Sequence, residues 1–208
     1  MSVNQEIIID GVHYPYTYKR VAHFRKEKEK LTHYWLHPTG NGWSSLCEVL
    51  LMYEHIKKRQ IHTVYECGSR RGWSGSWLAL ALKEIHSPGK LYTFDIESWE
   101  SIEKDVGVSD KVERIIGRFD EEVPKYLNAR PKEPILIYID GDHSYEGVSK
   151  DFKAIEPFLK KKDMVFFNDL DSVKGFGVSK FICELKQNDN FNIIILNTEY
   201  GTAILELK

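Results

Sequence analysis

Cysteine is scarce in this chain: only Cys47, Cys67 and Cys183 occur in 208 residues, and none stands in C-x-x-C spacing. An odd, scattered set of three argues against a disulfide framework and points to a reduced, cytoplasmic protein. Long apolar runs are missing too. No stretch of about 18 apolar residues occurs, and residues 1–10 lack the basic, apolar and small-residue order of a secretory signal, so neither a membrane span nor export is expected. Charge of one sign is also lacking. The formal net charge is -2, which supplies no overall basic field to draw the protein to nucleic acid or anionic lipid. The one basic stretch, residues 19–30, interleaves Lys19, Arg20, Arg25, Lys26, Lys28 and Lys30 with Glu27 and Glu29, and reads as a solvated helix face. Internal repeats and low-complexity segments are absent.

What is present is ordinary core material: 42% hydrophobic residues, 11 Tyr and 10 Phe. That is enough for one domain with its own core. Asp10-Gly11 between two β-prone runs signals a hairpin, and His37-Pro38-Thr39-Gly40-Asn41-Gly42 is turn chemistry. Residues 1–42 are therefore read as an N-terminal appendage, a lid or dimer contact, and 43–208 as the main domain. Tyr34, Trp35, His37 and Trp43 are aromatic enough to stack on a sugar ring, although core packing is the commoner use of such residues.

Ser44 or Ser45 can cap a helix carrying Leu46, Val49, Leu50, Tyr53 and Ile56 on one stripe. From there strands at 63–67, 90–95, 112–116, 135–140 and 164–168 alternate with helices at 74–86, 99–106, 121–128, 145–159 and 177–187, and strands at 192–197 and 202–207 close the chain. Alternating apolar runs and amphipathic helices mean βαβ units and a parallel sheet. Tyr200-Gly201 separates the last two strands tightly enough to make them an antiparallel hairpin. The fold class is thus α/β, doubly wound, with seven strands, mostly parallel.

Ligands of such sheets lie outside the carboxyl ends of the strands. The first strand runs into Glu66-Cys67-Gly68-Ser69-Arg70-Arg71-Gly72-Trp73-Ser74-Gly75, a glycine-bearing turn that lets backbone approach a ligand and aims N–H groups at it. The spacing is not the dinucleotide pattern G-x-G-x-x-G; a tight connection that uses glycine for packing alone is the plain alternative. The second strand ends in Asp95, placed to accept two ribose hydroxyls. The third ends Gly117-Arg118. The fourth, Ile135-Leu136-Ile137-Tyr138-Ile139, delivers Asp140-Gly141-Asp142-His143, and the fifth delivers Asn168-Asp169. Hard cations such as Mg²⁺ take oxygen ligands, and Asp140, Asn168 and Asp169 offer them. His143, three residues past Asp140, is suitably placed for a general base. Asp142 or Ser144 reads equally well as a helix cap.

These motifs together, with Val148, Asp151-Phe152 and Pro157-Phe158-Leu159-Lys160, resemble class I S-adenosylmethionine-dependent methyltransferases of the family 24 type, over most of residues 61–185. Within that group the chain is similar to macrocin-type sugar O-methyltransferases, whose D-x-x-H pattern falls on Asp140 and His143. The catechol and caffeoyl-CoA O-methyltransferases resemble it in the composition of the same two strand ends. The resemblance implies a Rossmann-like fold with the closing hairpin and a cofactor site built from Glu66, Gly68, Ser69, Gly72, Ser74, Asp95, Arg118 and Asp140. It further implies Mg²⁺ or another divalent cation on Asp140, Asn168 and Asp169, with His143 and Asp140 catalytic. The expected partner is a small-molecule or carbohydrate acceptor, with neither nucleic acid nor membrane, and a homo-oligomer is left open. A NAD-dependent oxidoreductase and a non-catalytic binding module of the same fold are the competing readings; Gly175-Phe176-Gly177 reads as a mobile gate or an ordinary loop.

Overall fold

The computed structural model describes residues 5–9, 12–16, 44–170, 177–198 and 200–208. The first two strands, β1 (Gln5–Ile9) and β2 (Val12–Tyr16), pair antiparallel with Ile9 opposite Val12, forming a two-stranded sheet of their own. The connecting Asp10-Gly11, the boundary near Gly42, the aromatic cluster at 34–43 and Gly175-Phe176 lie outside the described residues.

The main domain opens with α1 (Leu46–Arg59), started by a capping box. Ser45 Oγ accepts from the Glu48 N–H at 3.3 Å and Glu48 Oε2 accepts from the Ser45 N–H at 2.9 Å, so two helix-end donors are satisfied reciprocally. Lys57, Lys58 and Arg59 occupy the last turn, where cations suit the helix dipole. Then come β3 (Thr63–Cys67), α2 (Trp73–Glu84), β4 (Leu91–Asp95), α3 (Glu103–Val106), β5 (Val112–Ile116), α4 (Phe119–Leu127), β6 (Ile135–Ile139), α5 (Tyr145–Ile155), β7 (Met164–Phe167), α6 (Gly177–Leu185), β8 (Phe191–Leu196) and β9 (Thr202–Leu207).

Seven strands lie in the order β5-β4-β3-β6-β7-β9-β8. Neighbours among β3 to β7 are parallel, and β9 runs antiparallel to both β7 and β8. The doubly wound, mostly parallel sheet with a closing hairpin is therefore as expected. Strands β3, β6 and β7 are buried along their whole length, which is why they read as unbroken apolar runs. Alternate side chains feed two cores. Val64, Leu136, Tyr138 and Phe166 pack with Val49, Leu51 and Trp77 of α1 and α2; Tyr65, Ile137, Val165 and Phe167 pack with Val123, Phe152 and Phe181 of α4, α5 and α6.

Two elements depart from expectation. Helix 99–106 shrinks to Glu103–Val106, because the Ile102 N–H is drawn to the carbonyl of Arg71 at 3.0 Å, which pins this segment against the glycine turn. Helix 145–159 stops at Ile155 and tightens into a 3₁₀ turn at Glu156–Phe158, since Pro157 has no N–H to continue the ladder. At the amino ends of the strands, Arg130 and Asp163 form a two-pronged ion pair, with Nη2 to Oδ1 at 2.8 Å and a second contact at 2.5 Å. No helix among the described residues is long and apolar enough to cross a membrane.

Candidate active site

The strand order reverses between β3 and β6, whose onward connections lead to β4 on one side and β7 on the other. A crevice at such a switch point is where an open α/β sheet takes its ligand. Both strand ends carry the expected motifs.

The turn after β3 approaches β6 so closely that only glycine fits. Gly68 has φ +89°, and a Cβ there would sit 2.1 Å from the Asp140 carbonyl oxygen. Gly72, at φ +80°, begins α2 and would drive a Cβ to 2.3 Å from Glu103 Oε1. Between them Arg70 takes a left-handed conformation, φ 41°, and its N–H donates to Asp95 Oδ2 at 2.7 Å. Asp95 Oδ1 accepts from the Glu97 N–H at 3.0 Å. Each of these carboxylate oxygens keeps a second lone pair for an incoming hydroxyl. A cradle that side chains would fill, with a carboxylate on the next strand, fits an adenosine-bearing cofactor.

Four residues expected at the cofactor make other contacts in the structure. Glu66 is fully buried; its oxygens accept from Ser74 Oγ at 2.5 Å and Thr93 Oγ1 at 2.6 Å. Glu66 and Ser74 thus brace the turn from behind. Arg118 is exposed, and its guanidinium turns to Asp120 at 3.0 Å and Glu121 at 3.2 Å. Local carboxylates in the first turn of α4 hold it there. Ser69 is buried, its hydroxyl taken by Arg114 Nη2 at 3.1 Å.

The ends of β6 and β7 converge. Asp140 Oδ1 accepts from Asn168 Nδ2 at 2.8 Å, and Oδ2 accepts from Ser44 Oγ at 3.0 Å and Tyr138 OH at 3.1 Å. Burial holds the Asp140 carboxyl above the ordinary range, with the Asn168 amide and His143 pulling the other way. His143 Nε2 lies 3.3 Å from Asp169 Oδ2 and 3.9 Å from Asp140 Oδ1, with its ring 30% exposed and so open to an acceptor. Asp169 stands at φ +60°, a backbone setting in which non-glycine residues are uncommon and Asp is enriched. The Ser144 hydroxyl caps α5 by accepting from the Gly147 N–H at 3.0 Å, and Asp142 accepts from the Ser144 N–H at 2.9 Å, so both serve the helix start.

As placed, the expected cation ligands do not make a cation site. Both Asp140 oxygens accept hydrogen bonds, Asn168 turns its NH₂ and not its oxygen toward Asp140, and Asp169 faces His143. The buried Asn168 Oδ1 has no hydrogen-bond partner among the described residues. Among the described residues no three His, Cys, Asp or Glu side chains gather in a form able to hold a metal ion.

Sequence reasoning missed Ser44, Tyr138, Arg114, Glu103 and Glu48 as parts of this edge. Only Glu48 had a local signal, the Ser45-x-x-Glu48 capping pattern. It is 1% exposed and also accepts from Thr202 at 2.6 Å and Thr198 at 3.0 Å, tying α1 to the closing hairpin.

Burial pushes the carboxyls of Glu48 and Glu66 up to about 7, against the hydrogen bonds that favour their charged forms. The folded chain then holds protons that the unfolded chain releases near 4.5. The stability these neutral groups contribute is complete below 4.5 and is lost as pH rises through 7. Melting temperature is expected to fall between pH 5 and pH 8, and Glu66→Gln to flatten part of that slope. A wild-type melting temperature that does not move over this range would contradict the assignment.

Residues 65–170 match the family model described as a methyltransferase domain, family 24. The rhamnosyl O-methyltransferase of Mycobacterium tuberculosis (strain H37Rv) is 25% identical over 163 residues, covering 73% of this chain; the chain spans 65% of that relative's length. Two solved structures share the fold. The Podospora anserina methyltransferase PaMTH1, bound to SAH, superposes with a TM-score of 0.67 at 16% identity, covering 95% of this chain and 99% of that one. CalS11, a TDP-rhamnose 3'-O-methyltransferase of calicheamicin biosynthesis, gives 0.59 at 21% identity, covering 88% and 94%. Matched over more than half of its length, the chain belongs to the family 24 methyltransferase domains.

Proposed function

We propose that the chain is an S-adenosylmethionine-dependent O-methyltransferase acting on a sugar hydroxyl, in a rhamnose-type or similar small glycoside. The observation that carries this reading is the meeting of Asp140, His143, Asn168 and Asp169 beside the glycine turn. The sugar-modifying names of the mycobacterial relative and of CalS11 support the acceptor class.

In this reading Gly68 and Gly72 admit the cofactor to the backbone, and Asp95 takes the ribose hydroxyls. Glu66 and Ser74 shape the turn without touching the ligand. S-adenosylmethionine, when bound, supplies a methyl group on a positively charged sulfur. His143 Nε2 takes the proton of the acceptor hydroxyl as its oxygen forms the new bond to carbon, and the carbon–sulfur electron pair stays with sulfur. Two carboxylates, Asp169 and Asp140, then flank the nitrogen that has gained the proton and neutralise its charge. Three cysteines not joined in disulfides, Cys47, Cys67 and Cys183, suit a reducing cytoplasm.

Calorimetry with S-adenosylmethionine is the direct test. Asp95→Ala is expected to weaken binding by about tenfold or more, the loss of charge-assisted hydrogen bonds. Wild-type protein that binds NAD and not S-adenosylmethionine would overturn the reading. Transfer of labelled methyl to a rhamnoside should then be run with chelator and with Mg²⁺. Equal rates leave the hydrogen-bonded cluster as the acting unit; a rate that needs Mg²⁺ means that Asn168 turns its oxygen to Asp140 in the working enzyme.

A further inference from the structure

We infer that the buried Arg114–Glu103 ion pair is a positioning device for the turn at 68–72 and sets the affinity for the cofactor; the inference rests on the cofactor reading above. Three of the five residues in that turn, Gly68, Arg70 and Gly72, stand at positive φ. Such backbone settings persist only where the surroundings over-determine them, and Arg70 is not a glycine. The Gly68 and Ser69 N–H groups donate to the Phe94 carbonyl at 2.9 and 3.3 Å and the Gly72 N–H to the Ser69 carbonyl at 2.7 Å, which leaves the Arg70 and Arg71 carbonyls to be held from outside the turn. Yet the Arg70 N–H is what orients Asp95, at 2.7 Å from Oδ2.

Arg114 reaches the turn from the edge strand β5. Its Nη2 donates to the Arg70 carbonyl and, at 3.1 Å, to the Ser69 hydroxyl, while Nη1 meets Glu103 Oε1 at 2.7 Å. Glu103 is 2% exposed and abuts Gly72. The adjacent Ile102 N–H donates to the Arg71 carbonyl at 3.0 Å, so consecutive carbonyls of the turn are fastened, one from β5 and the next from the α3 side. The guanidinium is planar and always charged, and it spans three acceptors at once; a lysine ammonium keeps the charge with Glu103 but cannot reproduce that fork. Arg114 thereby acts through Arg70 on Asp95, away from the acceptor half of the site.

Arg114→Lys is expected to raise the dissociation constants of S-adenosylmethionine and of its demethylated product about tenfold. It should raise the donor KM in step, with kcat at saturating donor and the acceptor KM unchanged. Hydrogen exchange at the Arg70 amide should quicken while amides of β6 stay protected. Glu103→Gln, which keeps the shape and drops the charge, should shift donor affinity in the same direction by less, and serves if the lysine variant does not fold. If wild type binds cofactor and both variants match it within about twofold, the inference fails while the cofactor reading stands. If kcat and melting temperature fall in proportion to affinity, the pair is structural only and the inference is likewise overturned. Wild type that does not bind cofactor removes the reading on which the inference rests.

Discussion

Replacing His143 by alanine is expected to lower kcat for methyl transfer by a factor of about 10² to 10⁴, the usual contribution of a positioned general base, with cofactor binding close to that of wild type. The separation follows from position. His143 sits beyond the end of β6, in contact with Asp169 of the next strand end, whereas the glycine turn and Asp95 belong to β3 and β4. Asp169→Asn should show a smaller loss of the same kind, since the amide can still hold the ring but no longer neutralises the proton it gains. Single-turnover rates with labelled cofactor give both numbers. A His143→Ala enzyme that transfers methyl at near wild-type rate would remove the base from the mechanism and point to Asp140 or solvent instead.

The second large effect lies at the opposite edge of the sheet. Asp163→Ala is expected to destabilise the fold by about 3–5 kcal/mol, because it leaves the Arg130 guanidinium charged and buried without its partner. The side chains are 4% and 2% exposed, so water cannot screen the loss. Asp163 also accepts from the N–H groups of Ile135 and Lys160 at 3.0 and 2.7 Å, so the start of β6 loses an anchor too. Against a total stability of about 5–15 kcal/mol, this lowers the melting temperature by on the order of 10 °C. Urea denaturation of Asp163→Ala and of a double variant Arg130→Met, Asp163→Leu separates the causes. The double variant should recover part of the loss, as apolar replacements of buried pairs often do. A single variant within about 1 kcal/mol of wild type would mean that the pair behaves as an exposed one.

Much of this was readable before any coordinates. The central strands announce themselves because burial on both faces forces unbroken apolar runs such as Ile135–Ile139, and their ends mark the ligand edge by topology alone. Individual roles were less legible. Glu66 carries the right chemistry at the right strand end, but two neighbouring hydroxyls claim its oxygens, and the sequence does not say which way a side chain next to a turn will face. Arg118 is drawn away by acids two and three residues beyond it, a local competition that outweighs its place at a strand end. Arg114 and Glu103 meet only because β5 packs beside β4 and α3 folds back on the turn, a tertiary contact without a spacing signature. Ser44 reads as a helix cap; that its hydroxyl reaches Asp140 follows from α1 lying over the same sheet face as Tyr138.

In the proposed function, the switch point between β3 and β6 divides the chain into two stretches with separate duties: donor binding between Glu66 and Gly117, and acceptor chemistry between Asp140 and Asp169. Where they touch, the seam is mostly backbone ladder, which accepts any strand of suitable pattern. Side chains cross it as well: Gly68 stands against the Asp140 carbonyl, Cys67 is lodged by Gly141 and Asp151, whose Oδ2 accepts from the thiol at 3.4 Å, and Val64 and Trp77 share a core with Leu136, Tyr138 and Phe166. A genetic crossover in the loop between α4 and β6 would therefore yield a folded hybrid only where the incoming half supplies matching core side chains as well as the backbone ladder.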